Sequence, residues 1–510
     1  MNLRRIFGLS FVAMSLLCSA QQINPLVKAL LDSYQEILKE NPKDYVTLYE
    51  RAAQYFRLSD YQNALTDISN ALRYTPEKES QLRAQEFSLL ADIDIEMKDY
   101  EGALRAVNNA LELDATSYAD IYKKGNICLY MENPEEAYKA FSSMQRLKAR
   151  SQEAYFGMAK ACVMMGREQE ATNLIKEAEN ADPNNYITFC RIGDLYRDMS
   201  QPENAATNYL SAISLSDGSL RPLESLIDLA KDNYPAVKTA MDYTINLSEN
   251  KLPLNFLLGN IAYNSGNYSE ASAPLEYVLS TEEGKNTEGV YETIIRNLLA
   301  QNKTDEAEAY LVQMNSCFSD AKTALMRAMI DFASGNYSAA SIAAAKALKE
   351  DPNVADGMKL AIYSDVMAGN YKDALEKLNE TIMANPENIE MLLLRNYVNG
   401  NISGYEKNAS ADLQRAASTI ADGYDNAAFR AIAKAHSGKV LDAQGIVETE
   451  LIAKNDKDAA YWAAVYYAQT DDAKKANEMI NRAKQLGYQN EYNLSVNTMP
   501  MVSIAPARNK

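Results

Sequence analysis

The stretch Tyr186 to Leu215, YITFCRIGDLYRDMSQPENAATNYLSAISL, decides the fold. Apolar side chains recur at three- and four-residue spacing on both sides of Ser200-Gln201-Pro202, the pattern of two amphipathic helices joined by a short turn. Gly193 and Ala205 stand twelve residues apart, one small residue on each helix, so the two backbones can approach closely and pack antiparallel. Phe189, Ile192, Tyr196, Tyr209 and Ala212 then fill the seam. Counting back from Ala205 by 34 residues at a time lands on Ala171, Ala137 and Ala103, each with a small partner twelve residues earlier at Ala159, Gly125 and Ala91. A fixed period of this length implies a stack of repeated helix pairs, each burying its apolar face against its neighbours.

Small residue, aromatic, small residue, bulky apolar, Ala and then often Pro at this period resembles the tetratricopeptide repeat family. The first repeat carries Ala52, Tyr55, Tyr61, Ala64, Ile68, Ala71 and Pro76, and the fourth Ala159, Ala171, Ile175, Ala178 and Pro183. Later repeats share a nearly identical turn: Gly266-Asn267-Tyr268, Gly335-Asn336-Tyr337 and Gly369-Asn370-Tyr371, each followed three residues on by Ala. Gly there can take the left-handed conformation that ends the first helix. The resemblance covers most of the chain and implies an all-α, right-handed superhelical solenoid of antiparallel helix pairs, about twelve repeats in all.

A solenoid escapes the single-core size limit, so 510 residues fit one array. At the start, Arg4 and Arg5 precede an apolar run from Ile6 to Leu17 and then Cys18-Ser19-Ala20, which reads as a secretory signal over 1–20 cut before Gln21. The competing reading, a lipoprotein signal acylated on Cys18, wants a Leu and a small residue where Ser15 and Leu17 stand. The run is short for a membrane span, and no other stretch approaches that length. The leader has a bacterial character, like that of the Bacteroidota. A net charge of −18 and the lack of a basic stripe with interleaved aromatics argue against nucleic acid as a partner. Past the leader, Cys128, Cys162, Cys190 and Cys317 read as small buried apolar residues rather than disulfides. Cys128 and Cys162 occupy the same place on successive repeats, and packed helices lie about 8–10 Å apart, too far to bridge.

In order, the chain divides into a capping helix (21–41), a regular block of five repeats (42–217) with a short excess near Thr75 to Ser80, and an irregular pair (218–250) broken by Pro235, where the superhelical pitch should change. A second block (251–390), an irregular loop and helix (391–424), two more repeats (425–487) and a tail (488–510) follow. The tail is expected to lie over the last helix pair. Ile295 and Ile362 replace the small residue of the first helix, which should splay or repack those pairs. Asn399-Gly400-Asn401 and Gly404 suggest a long loop before a helix from Ala411 to Ala421.

Chemistry is sparse. The one histidine, His436, reads as solvated in a polar turn, and no metal set, phosphate loop or nucleophile elbow is present. No enzyme activity and no cofactor are expected. The Asn-x-Ser/Thr sites at Asn246, Asn267, Asn336, Asn379, Asn401, Asn408 and Asn493 are explained in part by turn chemistry. In the family the first helix of each repeat lines the concave face. Carried onto this chain, the inward places hold Tyr49, Phe56, Tyr122, Asn126, Tyr130, Phe156, Lys160, Arg197, Phe256, Asn260, Tyr263 and Tyr363, with Phe332, Lys359 and Tyr461 beside them. Rings supply contact area at low entropy cost and amides can bond a peptide backbone, so protein or peptide partners are implied. The expected role is that of an interaction scaffold or adaptor of the cell envelope, associated with an outer-membrane complex. The alternative is a glycan-binding or nutrient-uptake lipoprotein on the same helices, which would want a lipidated Cys, loop insertions and several exposed Trp; this chain has Trp462 alone. Tyr49 and Ala53 stand where a chaperone-binding clamp needs Lys and Asn, so that activity is not implied.

Overall fold

The computed structural model describes residues 25–491 except Ala149 and Ser319. The expected leader with Cys18, the sequon at Asn493 and the tail from residue 492 lie outside the described residues. Among those described, the secondary structure is helix and turn throughout, 27 α-helices in a helical-repeat solenoid. They form two compact units, the first ending at Asp242 and the second beginning at Tyr243.

The quoted stretch folds as the helices Tyr186–Asp198 and Pro202–Leu215. A Cβ placed on Gly193 would lie 2.4 Å from the ring of Tyr209, so only glycine admits that ring; Tyr209 is fully buried. The same device recurs with Phe141, whose ring lies between Gly125 and Gly157: a Cβ on either would be 2.5 Å away. Where Ile295 and Ile362 occupy this slot, both are fully buried and their helix pairs approach over a shorter stretch than the pair holding Gly193. A branched side chain fills the slot itself and holds the second helix off.

Between the two helices of a repeat, one residue turns left-handed. Gly266, Gly335 and Gly369 do so with φ of 79°, 78° and 80°. In other repeats the same place is taken by Ser59, Lys98, Glu132, Ser200, Asn302 and Asp471, at φ of 54° to 62°. After several of these the next side chain caps the second helix: Asp60, Asp99 and Asp472 accept from the backbone N–H groups of Asn63, Gly102 and Lys475.

The short excess after the first repeat is largely absorbed by the helix Ser80–Glu96, longer than its counterpart Tyr45–Arg57. Its Arg83 donates to the carbonyls of Leu72 and Thr75, satisfying the end of Tyr61–Tyr74. Arg221–Leu247 is two helices that meet at a kink, where non-helical Asn233 stands two residues before Pro235 and proline lacks the N–H that would continue the ladder.

Three expectations are corrected. The helix placed at Ala411 to Ala421 runs Glu406–Ser418, and Gly400 ends the preceding helix Ile389–Gly400, so the intervening loop is short; only Gly404, at φ 91°, is left-handed there. Cys128, Cys162 and Cys190 are buried free thiols, but Cys317 is exposed at the end of Thr304–Cys317. His436 is half-buried rather than solvated; burial lowers its pKa, and its Nε2 has no partner among the described residues.

Candidate functional site

In the first compact unit the inner-face side chains largely satisfy one another. Tyr49 is half-buried, its pKa raised by desolvation, and Phe56 packs at 5.9 Å on Tyr61. Phe156 is 3% exposed, with the Arg191 guanidinium 3.9 Å above its ring. Tyr122 and Glu153 face the same guanidinium, whose pKa is nonetheless lowered because burial outweighs them. Tyr122 also meets Phe141 edge-on at 6.1 Å. Asn126 is half-buried, while Lys160 is exposed with its ammonium 4.0 Å from Asp198. Exposed Arg197 lies 3.8 Å from Asp194, which accepts the Tyr209 hydroxyl at 2.8 Å. Tyr130 is 58% exposed and stacks on Tyr100 at 5.2 Å. Tyr122 and Phe156 are therefore drawn together through Arg191, which sequence reasoning missed, and Phe156 is a packing residue first.

In the second compact unit Phe256 is 3% exposed, and the Asn260 amide is committed to the protein: it donates to the Phe256 carbonyl at 2.8 Å and accepts from Thr293 Oγ1 at 3.2 Å. Tyr263 and Tyr363 enter a different setting. They line a chamber of about 390 Å³ together with Tyr268, Arg296, Met329, Phe332, Lys359, Glu390 and Asn490. Five successive first helices contribute: Leu252–Asn264, Glu288–Ala300, Ala321–Ala333, Gly357–Ala368 and Ile389–Gly400. The solenoid curls far enough here that Lys457, opening Lys457–Gln469, donates to the Ser265 carbonyl at 3.4 Å across 192 residues of sequence.

The chamber charges are paired. Arg296 donates to Asp356 at 2.9 Å, and Lys359 lies 2.8 Å from Glu390, which also accepts the Tyr363 hydroxyl at 2.7 Å. Tyr263 and Tyr268 meet edge-on at 5.7 Å. Burial pushes the Tyr268 hydroxyl up to about 12 and raises those of Tyr263 and Tyr363, as expected of phenols enclosed by low-dielectric walls. Tyr363 already donates to Glu390, which leaves Tyr263 and Tyr268 as phenols toward a ligand, and the remaining wall is apolar: Leu299, Met329, Phe332 and Leu360. Such a site can hold an apolar or aromatic segment and bond its backbone. Arg296 was findable: it follows Ile295 as Asn126 follows Gly125 and Tyr363 follows Ile362, but the bulky Ile295 hides that register.

A larger hollow of about 680 Å³ opens beside Ser418 to Tyr424, between helices that include the π-helical turn Val447–Leu451. There Arg430 already donates to both Glu450 oxygens, at 2.5 and 2.6 Å. The chamber is preferred as the functional candidate because consecutive repeats, rather than one loop, build it. Among the described residues no cluster of three or more His, Cys, Asp or Glu could hold a metal, and no helix is long and apolar enough to cross a membrane.

A repeated antiparallel helix pair at a 34-residue period defines an all-helical repeat solenoid. No family model matches the chain. Subunit 7 of the anaphase-promoting complex from Arabidopsis thaliana is 26% identical over 187 residues, covering 36% of this chain and 31% of that protein. A TPR repeat-containing protein of Methanocaldococcus jannaschii is 26% identical over 262 residues, covering 47% of this chain and 40% of the relative. The chain thus spans well under half the length of these curated relatives. Among solved structures, the C-terminal part of a TPR repeat-containing protein from Cytophaga hutchinsonii aligns over 53% of this chain and 96% of its own, at 14% identity and a TM-score of 0.36.

Proposed function

We propose that this protein is a non-enzymatic scaffold that holds partner proteins or peptides against the inner faces of its first helices, with the chamber of the second compact unit as the principal site. The observation that carries this reading is the chamber itself: aromatic and thioether side chains from consecutive repeats surround empty volume, and their charges are already paired. An extended peptide suits such a wall, because phenolic donors can meet its carbonyls while its side chains bury apolar area at about 25 cal/mol per Å². The exposed inner residues of the first compact unit, Tyr130, Lys160 and Arg197, extend the proposed surface there. Activity in the cell envelope, within an outer-membrane assembly, is proposed from the residues at 1–20; intact mass of the protein from its native host should begin at Gln21 without lipid.

Affinity purification from the native envelope tests the binding reading. Full-length protein should retain a partner that the variant Met329→Asp with Phe332→Asp loses by about a hundredfold, with helical content by circular dichroism unchanged. Retention of the same proteins by both would overturn it.

A further inference from the structure

The described chain reaches the chamber at its own far end. Asn490 lines the cavity, its side chain hydrogen-bonded to Tyr268, and Glu491 is the last described residue. The nineteen residues 492–510 follow, two positions in sequence from this lining residue. At roughly 3.3 Å per residue they reach far more than a cavity of this size requires.

Their sequence has the character of a groove ligand. Tyr492, Leu494 and Val496 alternate with Asn493, Ser495 and Asn497, and Met499 and Met501 flank Pro500. A period of two presents one apolar face from an extended backbone, and Pro500 and Pro506 prevent a continuous helix. Methionine fits irregular apolar space. After Glu491 the segment carries no acid, while Arg508 and Lys510 make it +2 in a chain of −18. The chamber supplies Tyr263, Met329, Phe332 and Leu360 for the apolar face.

We infer that residues 492–510 occupy this chamber in their own chain, so that a partner peptide must displace them. The inference rests on the chamber being a peptide site and adds its regulation. A short tether gives an effective concentration of about 1 mM, so an intrinsic Kd of about 10 μM already fills the chamber roughly a hundred to one. A partner then binds about a hundredfold more weakly than to an open chamber.

Two measurements test this on the full chain. A photo-cross-linking residue at position 494 should form adducts within one molecule on Tyr263, Met329 or Phe332; adducts elsewhere, or only between two copies, overturn the inference. A fluorescent peptide of residues 492–510 should bind the variant Leu494→Asp, Val496→Asp, Met499→Asp at least tenfold more tightly than the unaltered chain, and adding Phe332→Asp should abolish that binding. Equal affinity for variant and unaltered chain overturns self-occupancy. If the variant binds no tail peptide yet captures partners in a Phe332-dependent way, self-occupancy falls and the peptide-site reading survives; if it does neither, both fall.

Discussion

Phe156 and Phe332, one in each compact unit, share a sequence setting: each is an aromatic on the inner side of a first helix. Phe156 is buried beneath Arg191, in a wall where Tyr122 and Glu153 face the same guanidinium. Phe332 meets Tyr337 edge-on at 5.2 Å, packs in part against the core of the second unit, and lines the open volume shared with Tyr263 and Tyr363. Inner position alone therefore does not make a binding residue. What separates the two rings is whether a neighbouring side chain long and flat enough to cover the ring lies over it, as Arg191 does over Phe156. In the second compact unit the long side chains pair with acids, Arg296 with Asp356 and Lys359 with Glu390; Lys359 lies 5.8 Å over the Tyr363 ring, while Phe332 is met by the Tyr337 ring rather than by a cation.

The sharpest way to break this contrast is truncation at the two rings. Phe156→Ala removes a buried ring and should cost about 3–5 kcal/mol, read as a lowered urea midpoint of the first compact unit. Phe332→Ala, at a half-buried ring on a cavity wall, should cost about 1 kcal/mol or less in the second. If both lose the same stability, the difference drawn here between packing and lining is wrong.

Smaller is a difference in response to acid. Asp94 in the first compact unit titrates at about 6, raised by burial and then by Asp99; Glu288 in the second titrates at about 7, raised by burial and by its hydrogen bond with Asp320, against Lys322. Glu292 faces the same Lys322. Both folded pKa values lie above the usual carboxylate values of 3.8 and 4.5, so each group favours folding fully only below its unfolded pKa and loses that contribution as pH rises through the folded one. Asp94 is half-titrated at about pH 6 and Glu288 at about pH 7, so the fall in the second unit should extend about one pH unit higher than that in the first. Glu288→Gln should flatten that fall and raise the second unit's melting temperature at pH 8, while Asp94→Asn should act at lower pH and on the first unit. A Glu288→Gln variant that still loses stability between pH 6 and 7 as the unaltered chain does would sink this assignment.

The fold was legible because its determinants are local and periodic. Gly193 and Ala205 set the approach of two helices, and the turn glycines announce their left-handed conformation in the sequence itself. The site was only partly legible. Tyr263, Tyr363, Phe332 and Lys359 follow from register, and Arg296 sits at the same register in a repeat whose marker residue is Ile295. Asp356, Glu390 and Asn490 carry no such mark: Asp356 and Glu390 stand at the starts of their first helices, off the inward places, and Asn490 follows the last helix. The burial of Phe156 was likewise hidden, since Arg191 lies off the inward places that the repeat pattern picks out. Cys317 and His436 were misjudged for the opposite reason, because each sits at a helix end where the period says little about exposure.

The smallest effect concerns the turns, where different repeats use different residues for one conformation. In the first unit Lys98 holds φ 62° between Ser80–Glu96 and Tyr100–Leu113; in the second Gly335 holds φ 78° with nothing within 4 Å of where a Cβ would stand. A side chain in the left-handed region costs about 1 kcal/mol through its Cβ and the carbonyl that follows, while glycine there loses more chain entropy on folding. The two terms oppose each other, so the net change is small and its sign tells which dominates. With space open at Gly335, conformational strain is the whole structural penalty of adding a methyl. Gly335→Ala should therefore lower the second unit's stability by about 1 kcal/mol, and Lys98→Gly should raise the first unit's by about 0.5–1 kcal/mol, both read from urea midpoints at unchanged slope. Stabilisation by Gly335→Ala would mean that unfolded-chain entropy outweighs strain in these turns, and that the glycines of the second unit serve something other than the left-handed bend.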